Sequence, residues 1–254
     1  MVEWSNTTRC KRVAFGLRGF ESLSAHKMKF NFDKKEPIGQ GGERKVFQHP
    51  NDSQKVIGVY ENHVTPATPN RVKGRYYLTK ILHLLFPDNI PDVYTTAPSG
   101  HIAEKKERDV DHLNIQRFIS LSEKHNKGEF VSNEDLNLAQ RKHATGYRNL
   151  AYNPKIIDLK RKLGEIGINF DRANCNVTTD SKGHAIYIEV FEPWSGIYPA
   201  SRSKSLLDFY LSYDEDKLQD VINRLPEPHR SVAQKYFDRL TFYKNKELRQ
   251  LKNM

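Results

Sequence analysis

The order of apolar patterns along the chain is the feature that most limits its possible folds. Short apolar runs typical of strands occupy four places in the first half of the chain: 45–47, 55–60, 93–96 and 101–105. Between them, apolar residues at helical spacing predict one helix over 71–86. Beyond residue 110 the pattern is helical, apart from a hairpin predicted around the turn at 180–183, with its second strand at 185–190. The sequence therefore predicts an α+β fold, with strands and one helix first and helices afterwards.

This change of pattern also predicts how the chain divides. We expect an N-terminal extension over 1–28, a small and mainly antiparallel β lobe with one helix over 29–109, and a mainly helical lobe over 110–254. No stretch approaches the roughly 18 consecutive apolar residues of a membrane span, and residues 1–28 hold no apolar run long enough for a secretory signal. The two cysteines fit a reducing compartment. A cytoplasmic location is expected, with secretion into a host cell as the open alternative.

The net charge of +10 predicts an anionic partner. A nucleotide, a protein with an acidic surface, a nucleic acid and a lipid surface would all satisfy it. Nucleic-acid binding would require a basic stripe interleaved with exposed aromatic residues, or a recognisable finger or RNA-recognition motif. The basic residues are instead spread along the chain, and neither motif occurs. We therefore expect a nucleotide, and a protein substrate or partner with an acidic surface, rather than a nucleic acid.

A glycine-rich segment lies between two predicted strands. Gly39, Gly41 and Gly42 leave the backbone free to approach phosphate oxygens and to present N–H donors to them. Val46, on the following strand, would then cover one face of a base. The alternative is a plain hairpin turn, for which glycines at these positions are equally suitable.

Three polar residues of the second half of the chain could form a catalytic centre. Asp171 and Asn176 lie five positions apart, just past a predicted helix. In phosphoryl transfer an aspartate accepts the proton of the attacking hydroxyl, and an asparagine on the same loop holds a metal ion. Glu189 follows at the end of the predicted hairpin, which would return it beside Asn176 and complete a set of oxygen ligands for Mg²⁺. The alternatives are a local Asx turn for the first two and a surface side chain or ion pair for Glu189.

In their order and spacing, these motifs resemble the protein-kinase superfamily. The segment 39–47 is similar to the Gly-rich loop of that family, 171–177 is similar to its catalytic loop, and Glu189 falls at the aspartate of its D-F-G motif. The segment 38–60 resembles in particular the bacterial PhoP regulatory network kinase-like proteins. The resemblance implies a two-lobed kinase-like fold that binds ATP together with Mg²⁺ or Mn²⁺.

The resemblance also implies roles for individual residues. Asp171 would be the catalytic base, and Asn176 and Glu189 would be the metal ligands. The nucleotide would be held by residues of the Gly-rich loop and of the strands that follow it: Gly39, Gly41, Gly42, Arg44, Val46 and Val56.

The chain departs from the kinase pattern at the cation that grips the phosphates. The strand lysine of the family falls at Gly58, which has no side chain, and its partner glutamate falls at Lys73. Arg44 and Lys45 on the preceding strand are the other cations nearby. We predict that Lys73 replaces the missing lysine and acts as a catalytic residue. The alternative is that Lys73 is solvated and the site is inactive.

The sequence thus favours an atypical ATP-dependent phosphotransferase, a protein kinase that acts on a hydroxyl group. Two alternatives stay open. One is a pseudokinase, which is a binding or scaffold module that signals by its shape. The other is an enzyme of the same fold that transfers a nucleotidyl group or phosphorylates a small molecule.

Overall fold

The structure, a computed structural model of the chain, describes residues 36–40, 44–60, 68–168, 174–189, 191, 193 and 213–252. The predicted extension over 1–28 lies outside these residues. The elements of the described part are β1 (Gly39–Gln40), β2 (Arg44–Gln48), β3 (Lys55–Tyr60), α1 (Pro69–Leu85), β4 (Val93–Ala97), β5 (Gly100–Glu104), α2 (Val110–Asn126), α3 (Asn133–Tyr152), α4 (Pro154–Glu165), β6 (Val177–Thr179), β7 (Ala185–Tyr187), α5 (Glu215–Asn223) and α6 (His229–Lys252).

Strands β1 to β5 form one antiparallel sheet in the order β1-β2-β3-β5-β4. The turn between β2 and β3 is held by Asp52, whose carboxylate accepts a hydrogen bond from the Gln54 backbone N–H at 2.9 Å. This is the usual way in which an aspartate stabilises a tight turn. The predicted antiparallel pairing of the runs at 45–47 and 55–60 is confirmed.

Helix α1 is positioned by a cap at its start and by a contact with the sheet. The Thr68 hydroxyl accepts a hydrogen bond from the Arg71 backbone N–H at 3.1 Å, which satisfies one of the free donors of the first turn. The Thr96 hydroxyl of β4 donates to the Val72 carbonyl at 2.9 Å, and this bond fixes the helix against the sheet. The predicted helix over 71–86 is confirmed.

The helical part begins at Asp109, which caps α2 and ties it to the hairpin. Its carboxylate accepts hydrogen bonds from the His112 backbone N–H at 2.7 Å and from the Thr179 hydroxyl at 2.6 Å. Helices α2 and α3 then lie close together at Gly146, where a Cβ atom would come within 2.7 Å of the Asp111 carbonyl oxygen. A residue without a side chain is therefore required at that contact.

The hairpin of β6 and β7 is shorter than the sequence predicts. Tyr187 of β7 pairs with Val177, the first residue of β6, because Asn176 belongs to a 3₁₀ turn rather than to the strand. The predicted second strand over 185–190 therefore ends three residues early. One hydrogen bond continues beyond it, from the Ile188 backbone N–H to the Asn176 carbonyl at 3.0 Å.

One hydrophobic core joins α1 to the helices and the hairpin that follow it. Its fully buried members include Leu82 of α1, Ile115 of α2, Ile156 of α4 and Ile222 of α5. Helix α6 lies along α1, with the buried Glu247 accepting a hydrogen bond from the Asn70 side chain at 2.9 Å. The predicted α+β arrangement, a small antiparallel sheet with one helix followed by a mainly helical part, is confirmed.

Buried His112 makes the stability of this fold depend on pH. Its ring nitrogen Nδ1 lies 3.1 Å from the Val177 carbonyl oxygen, and no part of the residue is exposed. Burial and the nearby charge of Arg108 lower the pKa of His112 to about 4. The unfolded chain, in which a histidine titrates near about 6.5, therefore gains a proton between these two values and the folded chain does not.

We expect the free energy of unfolding to fall as pH is lowered from about 6.5 towards 4, by on the order of 3 kcal/mol from His112 alone. The variant His112→Asn keeps a donor for the Val177 carbonyl and removes the titration. Urea unfolding at several pH values between 7 and about 5 should give a shallower slope for this variant. His125→Asn, on the exposed part of the same helix, serves as the control and should keep the slope of the wild type.

Candidate functional site

A cleft of about 100 Å³ lies between the sheet and the segment that follows the hairpin. Val46 and Val56 form its floor on β2 and β3, and Thr79 closes it on the α1 side. Residues at and just after the end of β5, within 104–108, form a rim, and Ile188 and Glu189 line the cleft from the segment after β7. Strands from one end of the chain and a loop from the other therefore build this cleft together.

The register of the sheet fixes the order of the cleft residues along the strands. Val56 lies opposite Ala103, next to the segment after β5. Two pairs further along, on the same face of the sheet, His101 lies opposite Gly58. Arg44 is two positions beyond Val46 on β2, on the same face of the strand, because side chains alternate between faces. A ligand lying along the sheet would thus meet apolar side chains first and Arg44 last.

The structure brings several of the predicted site residues to this cleft. Arg44, Val46, Val56 and Glu189 all line it. Gly39 lies beside it as the partner of Val46 in the β1–β2 pairing.

The remaining predicted residues fall into two groups. Asp171, Gly41 and Gly42 lie outside the described residues. Lys73 and Asn176 are described, but neither is among the residues that line the cleft. Helix α1 turns Thr79 into the cleft, and at 3.6 residues per turn Lys73 lies about 120° around the helix from Thr79. Of the two cations that the sequence analysis assigned to the site, Arg44 lines the cleft and Lys73 does not.

Arg44 forms an ion pair with Glu189 across the cleft. Their side-chain atoms Nη1 and Oε1 are 2.6 Å apart, and Arg44 Nη2 donates to the Ile188 carbonyl at 3.3 Å. The Arg44 side chain is only 12% exposed, so this pair is much less screened than one on the open surface. The sequence placed both residues at the site and gave no sign that they would contact each other.

Asn176 and Glu189 lie on adjacent stretches of backbone, as predicted. The bond between the Ile188 N–H and the Asn176 carbonyl joins the 3₁₀ turn to the residue just before Glu189. The two side chains offer amide and carboxylate oxygens, which are the donors that Mg²⁺ prefers. The described residues contain no cluster of three histidine, cysteine or acidic side chains that could hold a metal ion alone. An amide and a carboxylate oxygen are donors that Mg²⁺ accepts where phosphates and water supply its other ligands.

The imidazole of His101 occupies the place beside Gly58. A Cβ atom built on Gly58 would lie 2.3 Å from His101 Cε1, so no larger residue fits there while the ring stays. His101 is 5% exposed, and its Nδ1 atom has no hydrogen-bond partner among the described residues. Burial, with the positive charges of Arg44 and Arg75, holds the pKa of His101 well below its usual range. Sequence reasoning missed this residue, for which the signal was a glycine inside a strand.

The rim formed by 104–108 holds three basic and two acidic residues, of which Lys106 and Glu104 form an ion pair at 2.9 Å, and it contacts the Gly-rich segment. Arg108 donates to the Ile38 carbonyl at 2.8 Å, and its Nη1 atom lies 2.9 Å from the place of a Cβ atom on Gly39. Lys105 donates to the Gln48 side chain at 2.7 Å. These positive charges favour an anionic ligand in the cleft.

Comparisons with known proteins give little beyond this geometry. No protein-family model matches the chain, and no curated protein matches it. Among solved structures, the chain is similar to the crystal structure of a Helicobacter pylori proinflammatory kinase, CtkA, at 14% sequence identity and a TM-score of 0.34. That match covers 86% of this chain and 95% of the other. A TM-score this low carries no argument about the site. None of the helices that the structure describes has the length and apolar composition needed to cross a membrane.

Proposed function

We propose that this chain is an atypical ATP-dependent phosphotransferase that transfers phosphate to a protein hydroxyl group. The observation that carries the proposal is that the cleft holds apolar side chains at Val46, Val56 and Ala103 and, further along the sheet, the ion pair of Arg44 and Glu189. A purine base requires an apolar slot, and a triphosphate requires a cation and a metal ligand. The apolar side chains of the sheet would supply the slot, Arg44 of β2 the cation, and Glu189 after the hairpin the metal ligand.

The base and the phosphates would be bound by different parts of the cleft. Val46 and Val56 would pack against the base, and the backbone N–H groups of Gly39, Gly41 and Gly42 would donate to the phosphates. Arg44 would exchange its contact with Glu189 for a contact with a phosphate oxygen. A guanidinium is suited to this exchange because it binds carboxylates and phosphates with the same fork of donors.

Three residues would serve the transfer itself. Asp171 would accept the proton of the attacking hydroxyl, and Asn176 and Glu189 would hold Mg²⁺ or Mn²⁺. The metal ion would supply charge neutralisation for the transferred phosphate. The basic rim at Lys105 and Lys106 suits a protein substrate with an acidic surface.

One observation favours a second candidate, a pseudokinase that binds nucleotide without turnover. Glu189, the proposed metal ligand, is already paired with Arg44 at 2.6 Å. Gly58 also leaves the cleft without the strand lysine of active kinases. If binding energy does not separate Arg44 from Glu189, the metal site stays closed and no transfer follows.

The test is to incubate the purified chain with ATP labelled at the γ- or the α-phosphate, with Mg²⁺ or Mn²⁺ and an acidic protein substrate. We expect label from the γ-phosphate on a protein hydroxyl, and its loss in Asp171→Asn. The exposed Glu165→Gln on α4 is the matched control and should retain the activity of the wild type.

Each other outcome points to a different function. Label from the α-phosphate alone would mean nucleotidyl transfer, and label on a small hydroxyl compound would mean a small-molecule kinase. ATP binding without any transfer would support the pseudokinase. An absence of both binding and transfer would overturn the proposal.

A further inference from the structure

Two buried polar atoms without hydrogen-bond partners among the described residues belong to side chains that line the cleft. Thr79 is 4% exposed and His101 is 5% exposed, and both residues line the cleft. The Thr79 hydroxyl and His101 Nδ1 have no hydrogen-bond partner among the described residues. Buried polar groups in folded proteins are almost always hydrogen-bonded, because each unsatisfied one destabilises the fold. Two such groups in one cleft indicate that a polar ligand satisfies them.

The position of the His101 ring depends on the absence of a side chain at Gly58. The two residues are directly opposite each other in the β3–β5 pairing, and the ring lies over the glycine. Any side chain at position 58 would expel the ring, since even a Cβ atom would be 2.3 Å from Cε1. Gly58, which stands where the kinase family has its strand lysine, thus also leaves the space that the His101 imidazole fills.

The positive charges near Thr79 and His101 favour an anionic ligand. Arg44 lines the same cleft, and Arg75 of α1 adds a second positive charge close to His101. His101 also lies two pairs along the sheet from Val56 and Ala103, on the side towards Arg44. A nucleotide whose base rests on those two apolar residues would bring its first phosphates to His101.

We propose that His101 and Thr79 form a phosphate subsite that replaces the missing strand lysine and binds the α- or β-phosphate of a nucleotide. The subsite rests on the proposed function, because it assumes that the cleft holds a nucleotide with its base at the apolar end. A neutral imidazole and a hydroxyl each donate one hydrogen bond to a phosphate oxygen, and Arg44 supplies the charge. A lysine would supply both the positive charge and the hydrogen-bond donors. Here Arg44 supplies the charge, and His101 and Thr79 supply the donors.

The first test compares the affinity of Thr79→Val and His101→Leu for Mg²⁺-ATP by isothermal titration calorimetry. Each variant removes one donor to a charged group, so we expect binding to be about ten- to a hundredfold weaker. Adenosine, which has no phosphate, should bind both variants as it binds the wild type. His101→Asn keeps an amide nitrogen near the place of Nδ1 and should retain most of the ATP affinity. Thr145→Val on the exposed part of α3 is the matched control.

The second test puts the lysine back. Gly58→Lys alone should lower the melting temperature, because its Cβ atom has no room beside the ring. The double variant Gly58→Lys with His101→Ala empties that space and should regain ATP affinity relative to His101→Ala. The proposal is wrong if the Thr79 and His101 variants bind ATP as tightly as the wild type.

A titration with pyrophosphate separates this inference from the proposed function. The imidazole signals of His101, followed by NMR, should shift on addition of pyrophosphate, and the shift should be lost in Thr79→Val. If the wild type binds pyrophosphate in this way but no ATP, the subsite stands and the proposed function falls. If it binds neither, both are overturned.

Discussion

Replacing Leu82 with alanine should lower the free energy of unfolding by about 2–5 kcal/mol. The side chain is fully buried in α1, within the core that joins this helix to the helical part of the chain. Its removal leaves a cavity that the surrounding helices cannot fill without moving. For a chain of this size the melting temperature should fall by about 4 to 20 °C.

The same variant tests whether α1 and the helical part unfold together. The core runs without a break from Leu82 to Ile222 of α5, and α6 lies along α1 through the stacked rings of Tyr77 and Tyr243, 5.9 Å apart. We therefore expect one calorimetric transition in the wild type and one in the variant. Leu84→Ala, a half-buried neighbour on the same helix, is the control and should have a smaller effect. Two separate transitions in the wild type would contradict a shared core.

The sequence predicted the elements well because their signals are local. The strand pair around Asp52 and the helix over 71–86 each follow from apolar spacing and from turn or capping residues within a few positions. The hairpin that returns Glu189 beside Asn176 was also predicted from signals within a few positions of each other. Its second strand was predicted too long because the 3₁₀ turn before β6 has no clear apolar pattern of its own.

The contacts that give the cleft its chemistry could not be predicted in the same way. Arg44 and Glu189 are 145 positions apart, and no local pattern pairs them. Lys73 was chosen by its place in a family pattern, but a helix presents a side chain to a cleft only in the correct rotational phase. That phase is fixed by the packing of α1 on the sheet, through bonds such as that from Thr96 to the Val72 carbonyl. His101 could not be predicted because a glycine at position 58 indicates only that another group packs closely on the strand. It does not indicate which residue that group belongs to.

The ion pair of Arg44 and Glu189 leads to the sharpest functional prediction. Under the proposed function, Glu189 must release Arg44 before it can act as a metal ligand. Glu189→Gln should therefore lower the rate of phosphate transfer by about a hundredfold or more, the loss that follows removal of one group that stabilises the developing charge. The same change leaves Arg44 without a carboxylate partner at that position, so ATP measured without Mg²⁺ should bind as well as in the wild type or better.

Arg44→Gln should instead weaken ATP binding and leave the metal dependence of transfer in place. It removes the cation and leaves the proposed metal ligand in place, so ATP affinity should fall by about tenfold or more. Metal dependence should persist in Arg44→Gln and disappear in Glu189→Gln, which steady-state kinetics over a range of Mg²⁺ concentrations would measure. If the wild type shows no turnover, the same comparison can be made on the Mg²⁺ dependence of ATP binding. Equal behaviour of the two variants in both measurements would show that neither residue has the role assigned to it.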